Sequence, residues 1–157
     1  MAARRQKRRT TVEVDAGKLM SSASGQCLCG AVRFTADKVD AEFYACHCKM
    51  CLRWCGGPYM SVSATGITFE KTENLKIFDS SSWAERSFCR ACGTNIYYHV
   101  KGHDEYEFNT GTFDDASSFK MIGEIFVDDK PAFYEFAGDH PRMTGAEAIA
   151  RFTSLKD

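Results

Sequence analysis

The chain has no run of eighteen consecutive apolar residues, which excludes a membrane-spanning helix. Its N-terminus is basic, but no apolar stretch follows, so a secretory signal is not expected. No internal repeat is visible, and low complexity is confined to the first residues. Net charge is nearly absent, at −1 for 157 residues, yet this neutrality hides a division. Arg4, Arg5, Lys7, Arg8 and Arg9 crowd into six positions with no acid among the first nine. Setting those five aside leaves 15 basic against 21 acidic residues, a formal −6 on the body of the chain. A basic tail can hold nucleic acid electrostatically, but such tails are common and weakly specific, so nucleic acid is not the expected partner. Residues 1–24 read instead as a basic and polar leader, either disordered or added to the natural sequence, because Met20-Ser21-Ser22 resembles a native start.

With 44% hydrophobic residues, 12 Phe and 6 Tyr, residues 25–157 can bury one core of their own, and a single domain is expected. Ala31–Ala36 alternates Val32 and Phe34 against Arg33 and Thr35, the period of a half-buried strand. Tyr59–Val62, Ile67–Glu70, Leu75–Phe78, Asn95–Val100, Tyr106–Asn109 and Ile122–Val127 continue the style. Gly, Asp, Asn and Ser clusters separate them, among them Gly56-Gly57-Pro58, Gly102-His103-Asp104 and Asp114–Ser118. This rhythm predicts an all-β, mainly antiparallel domain. A short helix is expected at the C-terminus, where Thr144 and Glu147 form a capping box and Ile149, Phe152 and Leu155 share one face.

Eight cysteines carry the chemistry. They fall as Cys27-x-Cys29-Gly30, Cys46-His47-Cys48-x-x-Cys51 and Cys89-x-x-Cys92-Gly93, with Cys55 four residues beyond Cys51. Such spacings favour shared metal over disulfides and suit a reducing cytoplasm. Zinc takes four ligands tetrahedrally, and a glycine after the last cysteine lets the backbone curl toward the sulfurs. Cys27, Cys29, Cys89 and Cys92 therefore make one complete zinc clamp. The central group supplies three close thiolates, either an open site or one closed by a fourth ligand, Cys55 or, with strain from its neighbours on both sides, His47. His47 is placed to orient those thiolates or to move a proton, and Lys49 and Arg53 are its neighbours in sequence. Tyr97-Tyr98-His99 reads as alternating strand, Trp54 as packing on the cysteine knuckle or lining a pocket, and Asp114-Asp115 as a turn.

The order C-x-C-G, C-H-C-x-x-C, R-x-F-C-x-x-C-G-T and G-T-F-D-D, here Cys27–Gly30, Cys46–Cys51, Arg86–Thr94 and Gly111–Asp115, resembles the glutathione-dependent formaldehyde-activating enzymes and the related centromere protein V group. The resemblance runs from about Gly25 to about Met143. It implies a zinc-bearing β-tent with two zinc ions, a structural one on Cys27, Cys29, Cys89 and Cys92 and a labile one on Cys46, Cys48 and Cys51. It further implies a carbon–sulfur lyase acting on glutathione or a similar thiol and a small aldehyde such as formaldehyde. Two departures stand out: Cys55, where the family has a small non-ligand residue, and Glu124-Ile125-Phe126, where it often has His-Ile followed by an aromatic residue.

Overall fold

Residues whose side chains alternate between apolar and polar build most of the molecule, because successive strand residues face opposite sides of a sheet. A computed structural model describes residues 19–154. In chain order it contains β1 (Leu19–Gln26), β2 (Arg33–Asp40), β3 (Glu42–Cys46), α1 (Lys49–Cys55), β4 (Tyr59–Lys71), β5 (Leu75–Asp79), β6 (Ala84–Cys89), β7 (Asn95–Val100), β8 (Tyr106–Asn109), β9 (Lys120–Ile125), β10 (Arg142–Met143) and α2 (Gly145–Ser154). The strands form one network in the order β10-β9-β3-β4-β8-β7-β6-β5, with β2 on β4 and β1 on β2. Most pairings are antiparallel, as expected; β3–β9 and β9–β10 are parallel, so the sheet is mixed.

The core lies on one face of β4, β7 and β8. Val62, Ala64, Ile96, Tyr97 and Phe108 meet Phe34, Ala36 and Val39 from β2, with Phe113 beside them. Phe34 and Phe108 rings sit 4.3 Å apart, and Phe113 meets Phe34 edge-on. Each such side chain contributes about 1.5–3 kcal/mol by leaving water. Cys27 and Cys89 are buried in this same cluster, so one cysteine group is built into the core.

Several expectations need correction. The sequence breaks β4 between Val62 and Ile67, but the strand is continuous; Gly66 takes a positive φ of 67° inside it, where an added Cβ would meet Asp37. Residues 19–24, assigned to the leader, form most of β1 and pair with β2; residues 1–18 lie outside the described residues. β3, β6 and α1 carry no clear periodicity and are new. The capping box of α2 is present, with Thr144 N–H donating to Glu147 Oε2 and Glu147 N–H to Thr144 Oγ1. Its apolar face differs: Ala148 is buried and Phe152 packs edge-on against Tyr44, whereas Ile149 is exposed and Leu155 lies outside the described residues.

Candidate active site and metal centres

Two tight turns bring the outer cysteine pairs together. Gly30 and Gly93 adopt φ of 75° and 80°, and their N–H groups donate to the Cys27 and Cys89 carbonyls, folding each cysteine pair back on itself. Leu28 N–H donates to Thr94 Oγ1, tying one turn to the other. The sulfurs of Cys27, Cys29, Cys89 and Cys92 all lie within 4.8 Å of one another. Cys27 to Cys29 is 3.6 Å and Cys29 to Cys89 is 3.9 Å. A tetrahedron with 2.3 Å zinc–sulfur bonds has edges of about 3.8 Å, so the four sulfurs fit such an ion with no position left over. Burial alone would raise the Cys27 thiol, but the Val32 N–H and the Cys29 and Cys89 thiols hold it low. A depression of about 320 Å³ lies beside this group, lined in part by Cys27, Leu28, Thr94 and Phe113. Because the adjacent sulfurs leave no open position, the chemistry is not assigned there.

The central group forms where β3 passes into α1. Cys46 ends the strand, Cys48 caps the helix by accepting the Cys51 N–H, and Cys51 lies in its first turn. Gly56, at φ 72°, ends the helix by donating to Leu52 O. The sulfurs of Cys46, Cys48 and Cys51 lie within 4.8 Å of one another, and Cys55 is not part of that cluster. Hydrogen bonds from Cys46 and then Cys51 hold the Cys48 thiol down to about 2, while Cys46 is pushed up by its bond to Cys48. Three sulfurs this close cannot all ionise without a cation among them, so the donor set suits a divalent metal with thiolate preference.

Arg86, on β6, is the cation beside this group. It is 6% exposed, with Nη2 3.9 Å from Cys51 Sγ and Nη1 donating to Ser80 Oγ at 2.6 Å. Its guanidinium lies over Tyr98 and Trp54, at 4.9 and 5.3 Å from the ring centroids, and its buried Nε has no hydrogen-bond partner. Lys49 and Arg53, the cations adjacent in sequence, are exposed instead. Trp54 thus packs against Arg86 and Tyr59 beside the cysteines. Arg86 belongs to the R-x-F-C segment, but only its pairing opposite Tyr98 reveals its contact with Cys51.

His47 needs a corrected role. Flanking cysteines face one way and the histidine the other, fully enclosed. Its Nδ1 meets Tyr134 Oη and its Nε2 meets Glu124 Oε2, both at 2.7 Å, so both nitrogens are engaged away from the sulfurs. Glu124, also fully enclosed, gathers Lys130, His140 and Arg142 as well. Burial would raise its carboxyl, but hydrogen bonds from His140, Lys130 and His47 bring it to about 2. The group pins β3, and with it the central cysteines, to β9 and the chain leading to β10. Replacing Glu124 with Gln should therefore cost about 3–5 kcal/mol, measured from urea unfolding at neutral pH, since it leaves buried cations without their anion. The carboxyl is lower in the folded than in the unfolded chain. Its stabilisation is full above about pH 4.3 and disappears as pH falls toward 2, so the difference between the two proteins should shrink over that window. An unchanged difference there would count against this role for Glu124.

Tyr97 and His99 are buried and Tyr98 half-buried, and Asp115 accepts the Ser117 N–H in a turn, as the sequence suggests. Among the described residues no helix is long and apolar enough to cross a membrane.

Residues 22–129 match the family model described as glutathione-dependent formaldehyde-activating enzyme. A Schizosaccharomyces pombe protein named as an uncharacterized lyase is 33% identical over 132 residues, covering 83% of this chain and 96% of that protein. A crystal structure of a Rhodobacter sphaeroides protein aligns with 58% of this chain and 87% of its own at 25% identity, with a TM-score of 0.49. On the extent of the family match and the identity to its yeast relative, the chain belongs to the glutathione-dependent formaldehyde-activating enzyme family.

Proposed function

We propose that this chain is a zinc-dependent carbon–sulfur lyase that reversibly joins glutathione, or a similar thiol, to a small aldehyde such as formaldehyde. The observation that carries this reading is a cluster of three sulfurs from which the nearby fourth, Cys55, is excluded. Cys27, Cys29, Cys89 and Cys92 would hold a structural zinc, and Cys46, Cys48 and Cys51 a second one. Bound by Cys46, Cys48 and Cys51, that second ion would supply Lewis acidity that lowers the pKa of an incoming thiol.

In the reaction, the thiol loses its proton and its sulfur lone pair forms a bond to the aldehyde carbon. The carbonyl π electrons move to oxygen, which takes up a proton to give the S-hydroxymethyl product. Reversal expels the thiolate. Arg86 serves this chemistry by offsetting the excess negative charge of three thiolates from its position beside Cys51. Trp54 and Tyr98 hold the guanidinium in position by its faces. His47 acts indirectly, by fixing the strand from which Cys46 and Cys48 project.

Calorimetric titration tests the reading. Zinc-loaded protein should bind glutathione with an affinity that rises with pH toward the thiol's own pKa, because binding displaces its proton. S-methylglutathione, a thioether that cannot become an anion, should bind at least about tenfold more weakly. Were Cys55 the fourth ligand, the wild type would ignore glutathione and Cys55→Ala would gain binding. Equal affinity for the two compounds would mean that the sulfur does not reach the metal, and a non-catalytic zinc-stabilised binding module would replace the lyase reading.

A further inference from the structure

The second face of the sheet, opposite the aromatic core, carries a row of polar residues leading away from the central cysteines. Residues paired across adjacent strands share a face, and the register places Arg86 opposite Tyr98, Tyr98 opposite Glu107, and Glu107 opposite Ser63. At one end Arg86 touches Cys51. Further along, Glu107 accepts hydrogen bonds from Ser63 on Oε1 and Ser61 on Oε2, and its carbonyl accepts from Tyr59 Oη.

Glu107 differs from the other enclosed carboxylate. Glu124 is surrounded by His47, Lys130, His140 and Arg142, whereas among the described residues no Lys, Arg or His lies within ion-pair distance of Glu107. Two serine hydroxyls orient it without neutralising it. Burial raises its carboxyl above the ordinary range, against the pull of Ser63 and Ser61. Unlike Glu124, the residue as a whole is only half-buried. A carboxylate desolvated in this way, held in place and lacking a counter-charge, is complementary to a cation brought by a ligand.

We infer that Glu107, held by Ser61 and Ser63, binds the ammonium group of the thiol substrate and so makes the enzyme selective for amine-bearing thiols. This rests on the proposed lyase reading and names what its thiol must carry. Spacing supports it. Arg86 and Glu107 are two strands apart, about 10 Å along the sheet. In extended glutathione the ammonium lies roughly 8–10 Å from the sulfur by ordinary chain dimensions. A sulfur at the central cysteines can therefore place its ammonium at Glu107.

Calorimetry and steady-state turnover with glutathione and its deaminated analogue, in which hydrogen replaces the ammonium, test the inference. The wild-type zinc protein should bind the analogue about 10- to 100-fold more weakly, mainly as a higher KM. Glu107→Gln should lose most of this discrimination by weakening glutathione alone, while Glu107→Asp, which keeps the charge, should retain part of it. The wild-type comparison stands even if a variant fails to fold. Equal binding of glutathione and the analogue by wild type would overturn the inference and leave the lyase reading intact. So would a Glu107→Gln protein that discriminates as fully as wild type. Failure of the zinc-loaded wild type to bind either thiol would overturn both.

Discussion

Replacing Cys89 with Ser is expected to remove the zinc held by the outer cysteines and, with it, the folded state. Cys89 is fully buried in the same cluster as Phe34 and Phe108, at the end of β6, and its partners Cys27 and Cys29 come from the turn between β1 and β2. A zinc ion there would join two segments about sixty residues apart in the chain. Structural zinc contributes on the order of 10 kcal/mol or more in small sites, which equals or exceeds the whole stability of many domains at about 5–15 kcal/mol. Serine is a poor zinc ligand at neutral pH, and its hydroxyl would sit in an apolar core where the thiolate had a metal. Soluble yield and Tm should both collapse, the latter by tens of degrees if any folded protein survives. Full zinc content with an unchanged Tm in Cys89→Ser would exclude this group as the structural site.

How much of this was readable in advance depends on how local each feature is. The turns at Cys29-Gly30 and Cys92-Gly93 are legible because a sulfur pair and a positive-φ glycine are encoded within a few residues. The capping box at Thr144 and Glu147 is legible for the same reason. The strands at Asn95–Val100 and Tyr106–Asn109 appear where alternation predicts them. α1 is hidden because it is only seven residues long and its cap is a cysteine sulfur, which no ordinary capping rule anticipates. β6 is hidden because Glu85, Arg86 and Ser87 break any apolar pattern, although Arg86 and Ser87 are both buried.

The environment of the candidate site was the least legible part. His47 looks like a partner of the adjacent cysteines, yet its two hydrogen bonds go to Glu124 and Tyr134, 77 and 87 residues away. The departure at Glu124 stood out in the sequence, but nothing local indicates that it would hold four cationic or histidine side chains together. Arg86, Tyr98 and Glu107 become neighbours only through strand register. Cys55 illustrates the converse: four residues from Cys51 and feasible as a ligand by spacing, it lies outside the sulfur cluster once α1 is formed.

If the two cysteine groups differ in kind, as proposed, graded chelation tests the difference most directly. A zinc held by four thiolates anchored in the core would leave a chelator no coordination position to enter, and removing it would cost the fold. A zinc held by three thiolates at the mouth of a short helix would leave one position through which a chelator can attack, and β3 would stay pinned through His47 and Glu124 after the ion leaves. Zinc content, circular dichroism and turnover should be followed together as chelator is raised. A plateau is expected at which zinc falls from two to one per chain, turnover is lost entirely, and the dichroism spectrum and Tm are unchanged, with activity restored by added zinc. Loss of both ions in a single step together with the fold would contradict it.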